Sequence, residues 1–373
     1  TWGSNNLVLS AGGDVDVNAN LDASSGGGLT VRFGQNTTDG GASAYRVNGV
    51  NVKIALPTSA GSKFRWKKGS TGSDNELVFN NGYLAFAANA SGSRTAPNTS
   101  ALNEQGQLNQ PNFYDLDIVN NVTVGRDAWY KLTYSNRSLE FQVGTGTSGT
   151  AWNGNNAYAS AGGLGGYLDI SQYLPGVGTG PGGGPKASGT ILSVLPLTVN
   201  AQNAQLISRY VLGGSDAYLR SDTSVKAISS TLSNVGLWVG TGDDWVGGTD
   251  GPTKTIGNFS STGFTANTVV GQSASVLRVD EGGNGASVLF YSTDSSASAT
   301  FSNCCSFSNA TNINPANQTI RQQNDGSYSL YTGLGDVTAG ATKGFSWFYV
   351  AAPSQKVNAV AQSVVSTLTT YSF

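Results

Sequence analysis

The sequence predicts an all-β protein with a strand-rich, β-helix-like N-terminal part and a C-terminal antiparallel β-sandwich that ends in one α-helix. Three patterns predict this class. Short alternating apolar runs with Gly-rich corners fill residues 5–34, and about eight strand-like runs follow residue 190. Near the end of the chain, apolar residues recur at intervals of three and four positions.

The N-terminal pattern is typical of the coils of a parallel β-helix. Three alternating runs, Leu7–Leu9, Val15–Val17 and Leu29–Val31, are separated by Gly and Asn corners that permit tight turns. A plain sheet of β-hairpins is the alternative that this pattern leaves open. Further strand-like runs follow as far as residue 143: Tyr45–Leu56, Phe64–Trp66, Glu76–Ala88, Phe113–Val124 and Trp129–Val143.

A segment dense in Gly and Pro interrupts the chain at residues 175–189, which read PGVGTGPGGGPKASG. Gly and Pro at this density form neither helix nor regular sheet easily. The segment therefore predicts a linker. It divides the chain into a strand-rich or β-helix-like domain at residues 1–174 and a β-sandwich domain at residues 190–373.

After the predicted linker, strand-like runs alternate with turn residues at the spacing of an antiparallel β-sandwich. The runs are Ile191–Val199, Gln205–Leu212, Ala217–Val225, Val235–Val239, Ser275–Val279, Val288–Ser292, Ser327–Tyr331 and Gly344–Val350. The last stretch is different, because apolar residues repeat at helical spacing from Val357 to Leu368 behind a capping Ser354. It predicts a helix at residues 354–370.

The composition indicates an extracellular protein with a weakly charged surface. Charged residues make up 11% of the chain, against about 25% in ordinary soluble domains, and the net charge is −2. Such a surface repels copies of itself weakly, which favours self-association. The chain contains no Met, and Thr1 is therefore expected to follow a processing site, as in a mature secreted chain.

The same composition argues against nucleic-acid binding and against a membrane-spanning helix. The 20 basic residues are balanced by 22 acidic ones, and the basic cluster is limited to Lys63, Arg65, Lys67 and Lys68. No apolar run approaches the length of about 20 residues that a membrane-spanning helix needs.

A candidate calcium site lies in the Gly-rich segment GTGDDWVGGTDGP, which places Asp243, Asp244 and Asp250 at short spacing. Calcium favours carboxylate and carbonyl oxygens from flexible loops of this kind. The segment lacks the pattern of an EF-hand, and ordinary turn chemistry, with Asp side chains bonded to their own backbone, is the simpler interpretation. A carboxylate pair for glycoside hydrolysis is the remaining alternative. Calcium is the one candidate cofactor.

The two cysteines, Cys304 and Cys305, are adjacent, and the chain contains no histidine. A metal site or a nucleophilic cysteine would need partners that the composition does not supply. Three interpretations remain: a vicinal disulfide, bonds to other subunits, and two buried thiols. We favour a structural role within the C-terminal part.

Aromatic residues could stack on sugars, since carbohydrate sites use flat apolar faces with polar rims. The candidates are Trp129, Tyr130, Tyr134, Trp238, Trp245, Trp347, Phe348 and Tyr349. Aromatic residues in strands more often belong to the core, and we favour that interpretation for this set.

Two stretches resemble known bacterial surface proteins. Residues 5–34, NNLVLSAGGDVDVNANLDASSGGGLTVRFG, resemble the coils of secreted adhesins of the filamentous-haemagglutinin type. Residues 204–365, with RYVLGGSDAYLRSDTSVK and SNCCSFSNATN, resemble a functionally uncharacterised double-cysteine module of large bacterial surface proteins. The first resemblance implies a β-helix, and both imply a place on the cell surface; neither brings catalytic residues.

These observations together predict a non-enzymatic extracellular structural protein, a self-assembling subunit of a bacterial surface filament, sheath or adhesive fibre. Its expected partner is a second copy of the chain, joined by strand addition through Thr1–Gly34, and surface glycans are a second candidate. The alternative is a carbohydrate-active β-helix protein, either a polysaccharide lyase or hydrolase or a glycan-binding module.

Overall fold

The computed structural model of the protein describes residues 1–58, 63–87, 97–115, 118–119, 122–123, 127–145, 166–181, 184–260, 262–282 and 285–369. Within these residues the chain is dominated by β-strands, so the all-β class that the sequence predicts is confirmed. Two α-helices and one short 3-10 helix complete the described elements.

The strands are numbered in chain order. The N-terminal strands are β1 (Asn6–Ser10), β2 (Val15–Val17), β3 (Leu21–Asp22), β4 (Gly28–Phe33), β5 (Tyr45–Val47), β6 (Ile54–Pro57), β7 (Phe64–Lys68), β8 (Phe79–Asn80), β9 (Leu84–Phe86), β10 (Pro111–Asp115), β11 (Ile118–Val119), β12 (Val122–Thr123), β13 (Ala128–Lys131) and β14 (Glu140–Thr145).

The remaining elements begin with the two strands of a long hairpin. They are β15 (Tyr167–Thr179), β16 (Pro185–Val199), β17 (Gln202–Leu212), β18 (Tyr218–Ala227), β19 (Leu232–Thr241), β20 (Thr253–Ser260), β21 (Gly263–Ala266), β22 (Val276–Asp280), β23 (Ala286–Ser292), β24 (Ser298–Asn303), α1 (Phe307–Thr311), the 3-10 helix Pro315–Asn317, β25 (Arg321–Gln323), β26 (Gly326–Val337), β27 (Thr342–Pro353) and α2 (Val357–Thr369).

The first seven strands form coils of a parallel β-helix. Strands β1, β4 and β7 pair in parallel on one face, β2 and β5 on a second, and β3 and β6 on a third. The register places Leu7 beside Leu29 and Leu29 beside Phe64, so apolar side chains stack in a column through the coils. The β-helix-like prediction is confirmed for these strands, and the hairpin alternative is wrong for them.

The corners of the coils use residues without side chains where two backbones pass closely. Gly34 has a φ of +67°, and a Cβ at this position would lie 2.6 Å from the Cα of Gly40. Polar side chains stack from one coil to the next, as the Nδ2 of Asn48 donates to the Oδ1 of Asn18 at 2.9 Å. The Gly and Asn residues of the sequence pattern thus shape and join successive coils.

Residues 175–189, predicted to be a linker, are mostly strand, and the linker prediction is wrong. Strands β15 and β16 run antiparallel through this region, with Leu174 opposite Ser188 and Pro175 opposite Ala187. Gly189 allows their close approach, because a Cβ at this position would lie 2.2 Å from the carbonyl oxygen of Gln172. Gly and Pro here accommodate a bulge and close backbone contact within a long hairpin.

One sheet extends from the coils into the C-terminal strands. β15 pairs with β6 of the β-helix on one side and with β16 on the other. One hydrophobic cluster also contains residues from both sides of the predicted division, among them Ile54 and Phe345. The division into residues 1–174 and 190–373 therefore stays a prediction, with no linker to mark it.

The C-terminal strands form two packed antiparallel sheets, as predicted for a sandwich. The larger sheet contains the order β16-β17-β18-β27-β23-β22-β20, and the smaller sheet has the order β14-β19-β26-β24. Between them, the ring of Phe290 on β23 lies 5.7 Å from the ring of Tyr328 on β26 and 5.5 Å from that of Trp347 on β27. All eight predicted runs overlap strands of these sheets, and β20 and β24 are additional strands that the pattern missed.

The predicted C-terminal helix is present as α2, three residues shorter at its start than the predicted range of 354–370. Val357, Ala361 and Val364 of α2 pack against Phe348 and Val350 of β27. Alternate residues of β27 thus face α2 and the smaller sheet. Ser354 does not cap the helix; its hydroxyl donates to Asp280. Within the described part of the chain, no helix has the length and apolar character that crossing a membrane requires.

Candidate functional site

Three loops that carry acidic and sulfur groups meet at one end of the smaller sheet. β19, β26 and β24 are neighbours in that sheet, and both outer strands run antiparallel to β26. Three loops therefore lie at the same end of this sheet: the loop that follows β19, the loop that precedes β26 and the loop that follows β24. Two backbone bonds fix this arrangement: the amide of Asp244 donates to the carbonyl of Gly326 at 2.9 Å, and the amide of Cys304 donates to that of Asp325 at 3.1 Å.

Asp244, one of the predicted calcium ligands, forms a buried ion pair. Its Oδ2 lies 2.6 Å from the Nζ of Lys254 on β20, and both side chains are fully buried. Lys254 also donates to the backbone carbonyl of Asn324 at 2.6 Å. Burial raises the pKa of Asp244, and the ammonium group of Lys254 opposes that rise. Asp244 and Lys254 therefore bind the acidic loop to the turn before β26, a role that the sequence did not indicate.

Asp243, the second predicted ligand, faces a carboxyl group that the sequence analysis missed, that of Asp325. Burial and the charge of Asp325 raise the pKa of Asp243 to about 6. Burial and the charge of Asp250 raise the pKa of Asp325 as well. The carboxyl groups of Asp243 and Asp325 therefore influence each other's protonation. The site therefore concentrates negative charge in a region shielded from water.

Asp250, the third predicted ligand, is exposed in the same loop, and its charge acts on both Asp243 and Asp325. The structure thus brings the three predicted acids to one region and adds Asp325 to them. Asp325 lies 75 positions or more from the others in sequence, in the pair Asn324–Asp325 just before a strand. An acid at such a turn has no pattern that distinguishes it from a turn residue, so sequence reasoning could not select it.

Cys304 and Cys305 form a disulfide with each other, so the vicinal-disulfide interpretation describes the structure. Cys304 is half-buried and Cys305 is exposed, in the loop after β24 rather than inside the sandwich. The Sγ of Cys304 lies 2.9 Å from the Oδ2 of Asp325, and the carbonyl of Cys305 accepts from Arg137 at 2.7 Å. The disulfide therefore forms one wall of the acidic site.

An aromatic pair, of which Tyr134 is exposed and Trp245 half-buried, lies beside the acidic site. The rings of Tyr134 and Trp245 are 4.9 Å apart, and the Nζ of Lys131 lies 5.0 Å and 4.8 Å from their centres. The amide of Tyr134 donates to the carbonyl of Asp243 at 3.2 Å, which places the pair next to the acids. Five of the other predicted sugar-stacking residues are buried in the core: Trp129, Trp238, Trp347, Phe348 and Tyr349.

A second candidate feature is the first coil of the β-helix, whose strand β2 is covered at Val15 and Val17 but whose strand β1 is less so. Leu7 and Leu9 are half-buried, whereas Leu29 and Val31, which occupy the same column one coil later, are 0% exposed. β1 pairs with β4, β2 with β5 and β3 with β6, and each is the outermost strand of its stack. β4, which lies within the predicted donor segment Thr1–Gly34, is a central strand between β1 and β7. We define the open coil as residues 6–22, which contain β1, β2 and β3.

The predicted basic cluster is partly neutralised where it is described. Arg65 forms an ion pair with Glu76 at 2.7 Å, and the neighbouring Arg32 pairs with Asp74 at 2.7 Å. These pairs lie along β7 and β4, on the outer surface of the coils.

No protein-family model matches the chain, and a search of curated proteins finds no match. Among solved structures, the chain is similar to a protein assigned as a kojibiose phosphorylase from the human microbiome, at a TM-score of 0.35 and 8% identity over 80% of this chain and 33% of that one. It is also similar to a family 36 α-galactosidase from Geobacillus stearothermophilus, at a TM-score of 0.29 and 9% identity over 64% of this chain and 30% of that one. The chain spans about a third of the length of these proteins. At such scores the similarities carry no conclusion about fold or function.

Proposed function

We propose that the chain is a non-enzymatic extracellular structural protein, a self-assembling subunit of a bacterial surface filament, sheath or adhesive fibre. The observation that carries this proposal is the open coil at residues 6–22. Its three strands are all edge strands, and strand edges with unpaired backbone groups accept strands from other chains.

The exposed backbone groups of β1 can be assigned from its register. The carbonyl of Asn5 and the amide of Ala11 both bond to β4, so residues of the same parity, including Leu7 and Leu9, direct their amides toward β4. The alternate residues of a strand direct theirs the opposite way. Asn6, Val8 and Ser10 therefore present amide groups at the free edge, where a further strand can pair.

The apolar column of the coils supports the same proposal. Terminal coils of a solenoid normally need a polar cover, since an exposed end presents the apolar interior to water. Here Leu7, Leu9 and Leu21 remain half-buried at the end of the column. A further coil or strand stacked on them would complete their burial.

We assign the open coil to a second copy of this chain. The stack that it would extend is built from this chain's own coils, with matching apolar columns and parallel pairing. The net charge of −2 with 11% charged residues gives little repulsion between copies. The resemblance of residues 5–34 to secreted adhesin coils agrees with a place on the cell surface.

The substitution Val8→Pro tests this proposal. Val8 directs its amide away from β4, so a proline there removes a free-edge donor while it leaves the pairing with β4 intact. We expect the wild-type chain to assemble, as measured by light scattering and electron microscopy, and Val8→Pro to remain monomeric with an unchanged circular dichroism spectrum. Val8→Thr is the matched control, because it keeps the amide and the β-branched shape. Assembly of Val8→Pro equal to that of wild type, or a wild-type chain that stays monomeric at high concentration, contradicts the proposal.

Glycan binding is the second candidate function, favoured by the ring pair of the exposed Tyr134 and the half-buried Trp245. Aromatic faces beside polar groups are typical of sugar sites. Under this alternative, Trp245→Ala abolishes binding on a glycan array, whereas Tyr83→Ala, which removes an exposed aromatic side chain elsewhere, leaves it unchanged. Equal binding by both variants, or no binding by wild type, rejects it.

The geometry of the acids disfavours glycoside hydrolysis. Glycosidases hold their two carboxyl groups about 5–9.5 Å apart, so that a sugar bond and water fit between them. The charge of Asp325 acts on Asp243, and Asp244 is paired with Lys254 at 2.6 Å, so the acids of this site are engaged with one another and with a buried cation. Incubation with neutral and acidic glycans, followed by chain-length analysis, tests this directly, and any shortening contradicts the non-enzymatic proposal.

A further inference from the structure

We propose that reduction of the disulfide between Cys304 and Cys305 creates a zinc site, in which the two thiolates and the carboxylate of Asp325 bind one ion. The oxidised chain is the form without the site. The proposal concerns loops at the end of the smaller sheet, far along the chain from the open coil, and does not depend on assembly.

The first observation is the close spacing of the three groups. The two Sγ atoms and a carboxylate oxygen all lie within 4.8 Å of one another. Zinc binds thiolate sulfur at about 2.3 Å and carboxylate oxygen at about 2.0–2.2 Å, so the ligand atoms around a tetrahedral ion are about 3–4 Å apart. Among the described residues no other three acidic or cysteine side chains converge in this way, and Asp243, Asp244 and Asp250 do not.

The second observation is that the oxidised chain leaves the carboxylate of Asp325 without hydrogen-bond donors. Its Oδ2 lies 2.9 Å from the Sγ of Cys304, but a disulfide sulfur carries no hydrogen to donate. Its Oδ1 is shielded from water and has no hydrogen-bond partner. A carboxylate in such surroundings is unfavourable, and a cation shared with two thiolates would compensate it.

The disulfide is accessible to a reductant and to an ion. Cys305 is exposed, and Cys304 and Asp325 are half-buried. A small dithiol supplies two electrons and two hydrogens: the S–S bond breaks, two thiols form, and the reductant becomes a disulfide. Zinc then displaces the two thiol protons as it binds, because the thiolate is the metal ligand.

The neighbouring cations are already paired with other carboxylates. The Nζ of Lys254 lies 2.6 Å from the Oδ2 of Asp244, and Arg137 lies 3.6 Å from Glu140. Asp325 therefore remains the carboxylate at this position that an external cation can bind.

The types of ligand select zinc over calcium or magnesium. Thiolate sulfur suits zinc, whereas calcium and magnesium prefer oxygen alone. The sequence argued against a metal at the cysteines because the chain contains no histidine, and the tertiary structure supplies Asp325 instead. Three protein ligands leave the fourth tetrahedral position to water.

The experiment is equilibrium dialysis of zinc chloride against the full chain at neutral pH, with and without a phosphine reductant. We expect one zinc ion per reduced chain and none per oxidised chain. Cobalt(II) in place of zinc identifies the ligands, since thiolate ligation gives a charge-transfer absorption band that carboxylates do not give. The comparison of the two forms of the wild-type chain needs no variant to fold.

Substitutions test the third ligand. Asp325→Asn should weaken zinc binding by the reduced chain at least about 10-fold, a loss that even changes beside a ligand produce. Asp250→Asn is the matched control, because it removes the same charge from a neighbouring loop but lies outside the group of three. Cys304→Ala with Cys305→Ala should bind no zinc in either condition.

Four results overturn the proposal. They are no zinc bound by the reduced chain, equal binding by the oxidised chain, zinc retained by the variant without cysteines, and equal weakening by Asp325→Asn and Asp250→Asn. The last result would show that Asp325 acts through its charge and is not a ligand.

Discussion

The parallel coils and the antiparallel sandwich bury their apolar residues in different ways. Within the coils, each side chain is covered by the next coil, so Leu29 is 0% exposed while Leu7 at the open end is half-buried. In the sandwich, β27 is covered on both sides, by Tyr328 of the smaller sheet, whose hydroxyl lies 3.2 Å from that of Tyr349, and by Val357 of α2 near Phe348. One region ends in an uncovered face, and the other is closed.

The difference shows where each kind of function can be placed. A stack of coils has an open end by construction, and this end can be extended by another chain. In the sandwich, the apolar faces of the described strands pack against each other or against α2, and the loops at one end carry buried polar groups. Assembly is therefore expected at residues 6–22, whereas the interacting acids Asp243 and Asp325 lie in loops at one end of the sandwich.

The largest expected loss of stability comes from removing the buried ion pair of the sandwich. Lys254→Met should lower the free energy of unfolding by about 3–5 kcal/mol, because it leaves Asp244 buried without its cation. The loss should be larger at pH 8 than at pH 5, since a protonated Asp244 needs no cation. Urea unfolding measures both. The double variant Lys254→Met with Asp244→Asn should recover most of the loss, and a single variant as stable as wild type contradicts the assignment.

The next prediction compares the loss of stability on replacing two leucines that stack in one apolar column of the coils. Leu29→Ala should lower the free energy of unfolding by about 2–5 kcal/mol, because it leaves a cavity between the side chains of Leu7 and Phe64 in the coils on either side. Leu7→Ala at the open end should cost less than about 1.5 kcal/mol in dilute solution, since solvent already reaches that side chain. Chemical unfolding of both variants at low protein concentration gives the comparison. Equal losses would show that the first coil is covered in the isolated chain.

A smaller effect is expected from pH at the acidic site. The pKa of Asp243 is about 6 in the folded chain against a usual 3.8, so the folded chain binds this proton more tightly than the unfolded chain does. Its contribution to stability is present below pH 4 and is lost as the pH rises toward 6, by about 1–3 kcal/mol. In chelator, wild type should therefore lose more stability than Asp243→Asn between pH 4 and 7. Identical pH profiles for the two proteins contradict this.

The smallest effect is expected from reduction of the disulfide between Cys304 and Cys305. A bond between adjacent residues closes the shortest loop and constrains the unfolded chain little, so its loss should cost about 1 kcal/mol. Thermal unfolding with and without a phosphine reductant measures the change, and Cys304→Ala with Cys305→Ala is the control that should not respond. A loss several times larger would show that the disulfide holds more of the sandwich than its own loop.

Much of the fold follows from local pattern. The alternation at Leu7–Leu9 and Leu29–Val31 specifies strands, and the Gly and Asn corners between them specify coils, because both signals depend on neighbouring residues alone. The helical spacing from Val357 predicts α2 for the same reason. The Gly-Pro segment at residues 175–189 misled the prediction, since neighbouring strands provide pairing and burial that composition does not record.

By itself, the sequence determined the class of the protein, the periodic strands and the presence of acids and cysteines that could act together. The tertiary structure decided which of these groups meet. It paired Asp244 with Lys254, placed Asp325 against Asp243, and left Leu7 uncovered at the end of its column. The physical reason is that periodicity is written in adjacent residues, whereas a site depends on the order in which distant strands join one sheet.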